Sequence, residues 1–300
     1  MDVAVTGSHG FVGSALVPAL ARAGHRVVRL ARTQPVGADE LGWNPEAGTI
    51  DAAGLEGIDG VVHLAGAGIG DRRWTDARKR LILESRTKGT GLLARTLARL
   101  TRPPSVLVSA SAIGYYGNRG DEPLDENSAP GNDFVAGVCV QWEAATAPAA
   151  EAGIRVVTTR SGIILGRDGG VLPRMLLPFR LGLGGRIASG RQYMSWISID
   201  DEVGAMVYAL TQERVTGPMN LTGPEPVTNA MFTKTLGRVL HRPTAIPTPL
   251  FPLRARYGSE LVQHLLVDGQ RVLPQQLEQT GYGFAHRTLE EALRAVVDRH

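Results

Sequence analysis

The sequence predicts an α/β fold: a doubly wound parallel sheet with helices on both faces, followed by a smaller C-terminal substrate domain. Three observations predict it. Continuous apolar runs of strand length alternate with longer helical patterns over the first two-thirds of the chain, as parallel strands buried on both faces do. The 300 residues are 43% hydrophobic and 20% charged, enough for one large core with an appendage. Near residue 166 the rhythm breaks into Gly- and Arg-rich sequence.

The elements follow in order. "VAVT" (3–6) is a strand and residues 10–23 a helix, closed by Gly24 before the strand "RVVRLA" (26–31). "GVVHLAG" (60–66) precedes a long helix over about 75–100, which Pro103 and Pro104 cannot continue. "SVLVSA" (105–110) is the next strand, 134–152 a helix, and "IRVVTTR" (154–160) a strand. "MSWISIDDEVGAMVYAL" reads as a short strand, acids at a helix start, then a helix, and "GPMNLTG" as a last strand. The expected domains are 1–165 with 196–223 returning to it, and a smaller substrate domain from 166–195 and 224–300.

Composition narrows the function. The net charge of +3 is spread along the chain, so nucleic acid is not an expected partner. Cys139 is the only cysteine, which excludes an internal disulfide and fits a reducing, cytoplasmic compartment. No apolar run reaches the roughly 18 residues of a spanning helix, so no membrane partner is expected. The seven histidines and the acids show no metal-ligand spacing, and no metal is expected. A small-molecule substrate remains as the expected partner, and a homodimer is compatible.

"VAVTGSHGFVGSAL" places Gly7, Gly10 and Gly13 directly after the first strand, at the opening of the first helix. Gly7 permits the tight turn, Gly10 the approach of a pyrophosphate, and Gly13 close packing of helix on sheet. His9, Phe11 and Val12 lie in the same turn, whose N–H groups face the phosphates. An NAD site carries an acid at the end of the second strand to hold the ribose hydroxyls. Here "RVVRLARTQ" has no carboxylate and Arg32 closes the strand, which suits a 2′-phosphate. The expected cofactor is NADP(H). Ser109 and Ser111 follow a strand whose end faces the crevice, and Tyr115 and Tyr116 come just after, so these four are the candidate catalytic groups. Arg180, Arg186 and Arg191 are candidates to grip an anionic substrate.

"TGSHGFVG", "HLAG", "SVLVSASAIGYYG" and "VVTTRSGIILG" resemble the extended short-chain dehydrogenase/reductases, the class of the nucleotide-sugar epimerases. "RRWTDARKRLILESR", "LLPFRLGLGG", "GRQYMSWISIDD" and "GQRVLPQQLEQTGYGF" resemble its atypical "epimerase family protein" subgroup over nearly the whole chain. The resemblance implies a Rossmann core, with Leu64, Ala65 and Gly66 under the adenosine side of NADP(H), and Arg86, Ser161 and Ile164 as cofactor neighbours. In the parent family a Tyr passes the proton and a Lys four residues later lowers its pKa. The aligned helix begins "NDFVAGVC", with Phe134 and Val138 in those places, and no Tyr-x-x-x-Lys occurs anywhere. Two readings stay open: an NADP(H)-dependent oxidoreductase or epimerase using Ser and Tyr hydroxyls, and a catalytically silent NADP(H)-binding regulatory or partner-binding protein.

Overall fold

A computed structural model describes residues 1–32, 35 and 37–298. The central sheet contains β1 (Asp2–Thr6), β2 (Arg26–Ala31), β3 (Glu40–Asn44), β4 (Thr49–Ile50), β5 (Gly60–His63), β6 (Val106–Ala112), β8 (Arg155–Ser161) and β12 (Gly217–Leu221). Its order is β12-β8-β6-β5-β1-β2-β3-β4, parallel throughout except for β4 at the edge. The chain winds outward from β1 through β2 to β3, then crosses back to β5 on the other side of β1. The reversal opens a crevice at the carboxyl ends of β1 and β5, where ligands of such sheets bind. Three small ladders complete the strands: β7 (Pro123–Leu124) with β14 (Arg271–Val272), β9 (Ile163–Leu165) with β11 (Trp196–Ser198), and β10 (Tyr193–Met194) with β13 (Val227–Thr228).

The helices are α1 (Phe11–Arg22), α2 (Asp76–Leu97), α3 (Phe134–Ala144), α4 (Ala147–Glu151), α5 (Leu172–Arg180), α6 (Ile199–Thr211), α7 (Asn229–Val239), α8 (Leu250–Tyr257), α9 (Ser259–Val262), α10 (Gln275–Thr280) and α11 (Leu289–Val297). Strand residues of alternating parity explain the layers. Val3, Val5, Val106, Val108 and Val157 meet Leu16 and Leu20 of α1 and Val203 and Met206 of α6. Ala4, Val28, Leu30, Val61 and Leu107 face the other way, onto Leu93 and Leu97 of α2. A second core joins Leu172 and Phe179 of α5, Phe232 and Leu236 of α7, and Leu293 of α11 around Trp196.

The structure adds to or departs from the sequence reading at three places. The helix expected over 134–152 is two helices, because Pro148 in the first turn of α4 has no N–H to continue the ladder. The stretch after β2 also carries two further sheet strands, β3 and β4, too short and too exposed to stand out as apolar runs. Within residues 224–300, the stretch expected in the smaller unit, Leu277, Tyr282 and Phe284 pack into the core of the main sheet. Residues 299–300 of that stretch lie outside the described residues.

Candidate functional site

The phosphate loop is shaped by collisions that only glycine avoids. Gly7 has φ +67°, and a Cβ there would sit 3.0 Å from the carbonyl carbon of Leu64. A Cβ on Gly13 would strike the carbonyl oxygen of Gly7, so the helix could not settle on the loop. Gly10 is the exposed N-cap of α1 and offers no side chain, and no acid stands in the first turn. The amides of that turn are therefore open at the positive end of the helix, as a phosphate requires. His9 is exposed, with Nδ1 3.3 Å from Ser8 Oγ, while Phe11 and Val12 are half-buried. The Phe11 ring lies against Gly166, Gly169 and Gly170, where a Cβ would collide with it.

Arg32 is exposed immediately after β2 and lines an open recess with Asn44, Pro45 and Glu46, continued by Gly42 and Trp43. Across the switch point, Thr6 Oγ1 accepts the amides of Leu64 and Ala65 at 3.1 and 3.3 Å. Its own proton goes to His63 Nδ1 at 2.7 Å, and the other ring nitrogen donates to Thr90 Oγ1 at 3.0 Å. Burial holds the His63 imidazole down at about 4, so it is a neutral strut. Arg86 lies on Gly66, its Cγ 3.4 Å from where a Cβ would be. It donates from Nη1 to Ala67 O at 2.9 Å and stacks 4.8 Å from the Trp142 ring. Burial lowers its pKa.

The four expected catalytic hydroxyls do not share one environment. Ser109 is 1% exposed on β6 and its Oγ finds no partner among the described residues. Ser111 donates to Glu143 Oε1 at 2.6 Å. Glu143 in turn receives both Nε and Nη2 of Arg160 at 2.9 Å, a buried bidentate pair. Arg160 Nη1 donates to Tyr116 Oη at 3.0 Å, and Tyr116 donates to Asn220 Oδ1 at 2.7 Å. Tyr116 is fully buried and its phenol is pushed up to about 12, chiefly by desolvation. This placement ties Tyr116 into the framework. Tyr115 is half-buried, with the Arg160 guanidinium 3.4 Å from its ring centre. Arg119, four residues on, pairs with Glu122 instead.

Phe134 begins α3, capped by Asp133, and packs edge-on to Trp74 at 5.2 Å; Val138 is buried. The other side of Trp74 is stacked by His264 at 6.1 Å. That imidazole's Nδ1 lies 2.8 Å from Asp268 Oδ2, which leaves Nε2 without a partner among the described residues. Neither the Arg160 network nor the His264–Asp268 pair had a motif to announce it: the network joins residues 17 to 104 positions apart, and the pair is four apart in a stretch without a signature. Cys139 is buried and its thiol pushed up to about 12, as expected of packing.

Ser161 donates to Glu202 Oε1 at 2.6 Å. Glu202 is fully buried at the start of α6, desolvation lifts it to about 8, and its Oε2 has no partner among the described residues. Ser198, not an acid, caps α6: its Oγ accepts the amide of Asp201, whose carboxylate in turn accepts the amides of Ala285 and His286. Ile164, on β9, packs at the edge of the main core. Arg180, Arg186 and Arg191 are all exposed on the second unit; Arg186 turns back to Ser189 O at 2.8 Å. It is Arg174 that reaches the crevice rim, donating to Gly70 O at 3.1 Å and pairing with Asp71. Among the described residues no three His, Cys, Asp or Glu side chains converge as a metal site, and no helix is long and apolar enough to cross a membrane.

This fold and cradle define a dinucleotide-binding protein of the extended short-chain dehydrogenase/reductase class. The model of the NAD dependent epimerase/dehydratase family matches residues 3–222, and the chain belongs to that family. Residues 248–296 match a domain of unknown function, DUF1731. "Epimerase family protein Mb2239" of Mycobacterium bovis is 47% identical over 291 residues, covering 97% of this chain and 96% of that protein. Human "Epimerase family protein SDR39U1" is 38% identical over 99% of this chain and all of its own length. The crystal structure of human SDR39U1 (isoform2) with NADPH superposes with a TM-score of 0.92, at 36% identity and full coverage of both chains. The nucleoside-diphosphate sugar epimerase of Corynebacterium glutamicum gives 0.83 at 36% identity, over 99% of this chain and 58% of that one.

Proposed function

We propose that the chain is an NADP(H)-dependent oxidoreductase or epimerase acting on a small, anionic, nucleotide-sugar-like molecule. One observation carries the reading: an uncapped helix terminus over a glycine loop that any Cβ would fill, with Arg32 where an acid would select NAD. When bound, the cofactor supplies or accepts the hydride. The chain does the rest. The amides of Phe11, Val12 and Gly13 hold the diphosphate and Arg32 meets the 2′-phosphate. Leu64, Ala65 and Gly66 floor the adenosine side, with Arg86 pinned beside them and Ser161 and Ile164 across the crevice. The relative solved with NADPH supports the same choice of cofactor.

With Tyr116 held in the core, Tyr115 is the phenol left to give a proton, oriented by Arg160 beneath its ring. His264 Nε2, set against Trp74, is a second candidate proton carrier. Ser109 Oγ is free to orient a substrate oxygen, and Arg174 at the rim, rather than Arg186 or Arg191, is placed to meet an anionic group. The lone buried thiol fits a cytoplasmic location. Titration calorimetry tests the first step: NADPH should bind at least about tenfold tighter than NADH, and Arg32→Glu should abolish the preference. NADPH consumption over a panel of carbonyl compounds, lowered by Tyr115→Phe, tests the second.

Ser111 and Tyr116 are tied into the framework, and this favours the other reading, an NADP(H)-dependent binder without chemistry. That reading predicts NADPH-dependent capture of a partner, unaffected by Tyr115→Phe. Capture by Arg32→Glu equal to wild type would remove it.

A further inference from the structure

The second unit contains two stretches without a single acid, 169–199 and 226–259. Together they carry nine Lys and Arg in a chain whose formal net charge is only +3. The fold interlaces them: Arg242 Nε donates to Arg180 O at 2.8 Å, Thr248 N to Arg186 O at 2.9 Å, and Ile187 bridges Thr248. The positive charge that looks dispersed along the sequence is thus gathered. Arg238 pairs with Glu290 and Arg174 with Asp71, but Arg180, Arg191 and Arg254 have no ion pair among the described residues.

The same two stretches carry bare apolar side chains. Six of the nine exposed large apolar residues among those described fall on these two stretches. Leu177, Leu181 and Leu183 are each over 60% exposed, Ile246 is 61% and Phe251 82%. Leu177 of α5 and Leu181, the residue that follows its last turn, are exposed, while Leu172 and Phe179 of the same helix are buried. Gly182 touches Pro243 and Gly185 abuts the backbone of Ile246, so Leu183 and Ile246 belong to one patch. A contiguous apolar patch of this kind marks a surface that something covers.

We propose that this face docks on an anionic lipid leaflet. A second copy of the chain is a poor cover, because a two-fold contact sets the face against itself and opposes its cations. A nucleic acid would answer the arginines but offers leucine and phenylalanine tips nothing apolar to enter. Lipid answers both, with headgroup phosphates at the level of the guanidiniums and acyl chains for the aliphatic tips. Such docking needs no spanning helix.

Sedimentation with vesicles tests it. The full chain should pellet with mixed phosphatidylcholine–phosphatidylglycerol vesicles, less so as salt rises, and not with phosphatidylcholine alone. Each cation near an anionic leaflet contributes about fivefold in partition. Arg242→Glu changes the local charge by two units and should therefore lower binding about tenfold or more, as should Leu181→Ser with Ile246→Ser. Unchanged NADPH affinity would show that both variants are folded. The proposal is overturned by failure to pellet with anionic vesicles, by equal binding to phosphatidylcholine alone, or by wild-type binding of the apolar variant. Binding to a duplex oligonucleotide that is as strong as to vesicles, and indifferent to the apolar substitutions, would overturn it in favour of a polyanion site.

Discussion

Arg160 shows how a side chain with no recognisable motif governs the floor of the crevice. It is 3% exposed, and four groups satisfy it through five contacts: Glu143 twice, Tyr116, the Glu126 carbonyl, and the Tyr115 ring. Removing one member of a buried ion pair leaves the other charge uncompensated, which costs about 3–5 kcal/mol. Glu143→Ala should lower the unfolding free energy by about that amount in urea titrations. Tyr116→Phe leaves Asn220 Oδ1 and Arg160 Nη1 short of one partner each and should cost about 1–2 kcal/mol. Tyr115→Phe removes a hydroxyl with no hydrogen bond among the described residues, and should change stability by less than about 0.5 kcal/mol. If Tyr116→Phe instead abolished turnover at unchanged stability, the phenol would be a catalytic group after all.

At the scale of elements, the start of α1 is the most constrained piece of the site. Gly13→Ala brings a methyl into the Gly7 carbonyl, and the helix must then lift off the loop it caps. NADPH affinity should fall at least about a hundredfold, since displacing bound phosphates by even an ångström loses several charge-assisted bonds. Wild-type affinity in that variant would place the diphosphate elsewhere. This turn was legible in the sequence because its glycines answer a local steric demand within seven residues. The central strands were legible for a similar reason, as β1, β5 and β6 each contain a short unbroken apolar run: residues 3–5, 61–62 and 106–108. By contrast β7 and β14 are two-residue strands paired across nearly 150 positions, and nothing local marks them. Tyr116 illustrates the limit: it sits in the motif where reactive groups gather, but its orientation depends on Asn220, a residue 104 positions away.

Across the whole molecule, two buried titratable groups set opposing slopes on stability. Folding lowers His63 from 6.5 to about 4, so between those values only the unfolded chain takes the proton. Stability from this group is lost as pH falls through the window. Glu202 is raised from 4.5 to about 8, so there the folded chain keeps a proton that the unfolded chain releases. Its contribution is lost as pH rises from 4.5 toward 8, and Glu126, also raised by burial, acts in the same sense. Each group contributes a slope of at most about 1.4 kcal/mol per pH unit. The His63 and Glu202 slopes cancel between about 4.5 and 6.5, and from 6.5 to 8 Glu202 acts without that opposition. Glu202→Gln removes its proton exchange while keeping an acceptor for the Ser161 hydroxyl. The stability of this variant relative to wild type should therefore climb steadily from pH 5, gain about 2 kcal/mol between 6.5 and 8, and level off above. Urea titrations at closely spaced pH values would show the divergence. Parallel curves from pH 5 to 8 would mean that the folded chain holds no proton on Glu202.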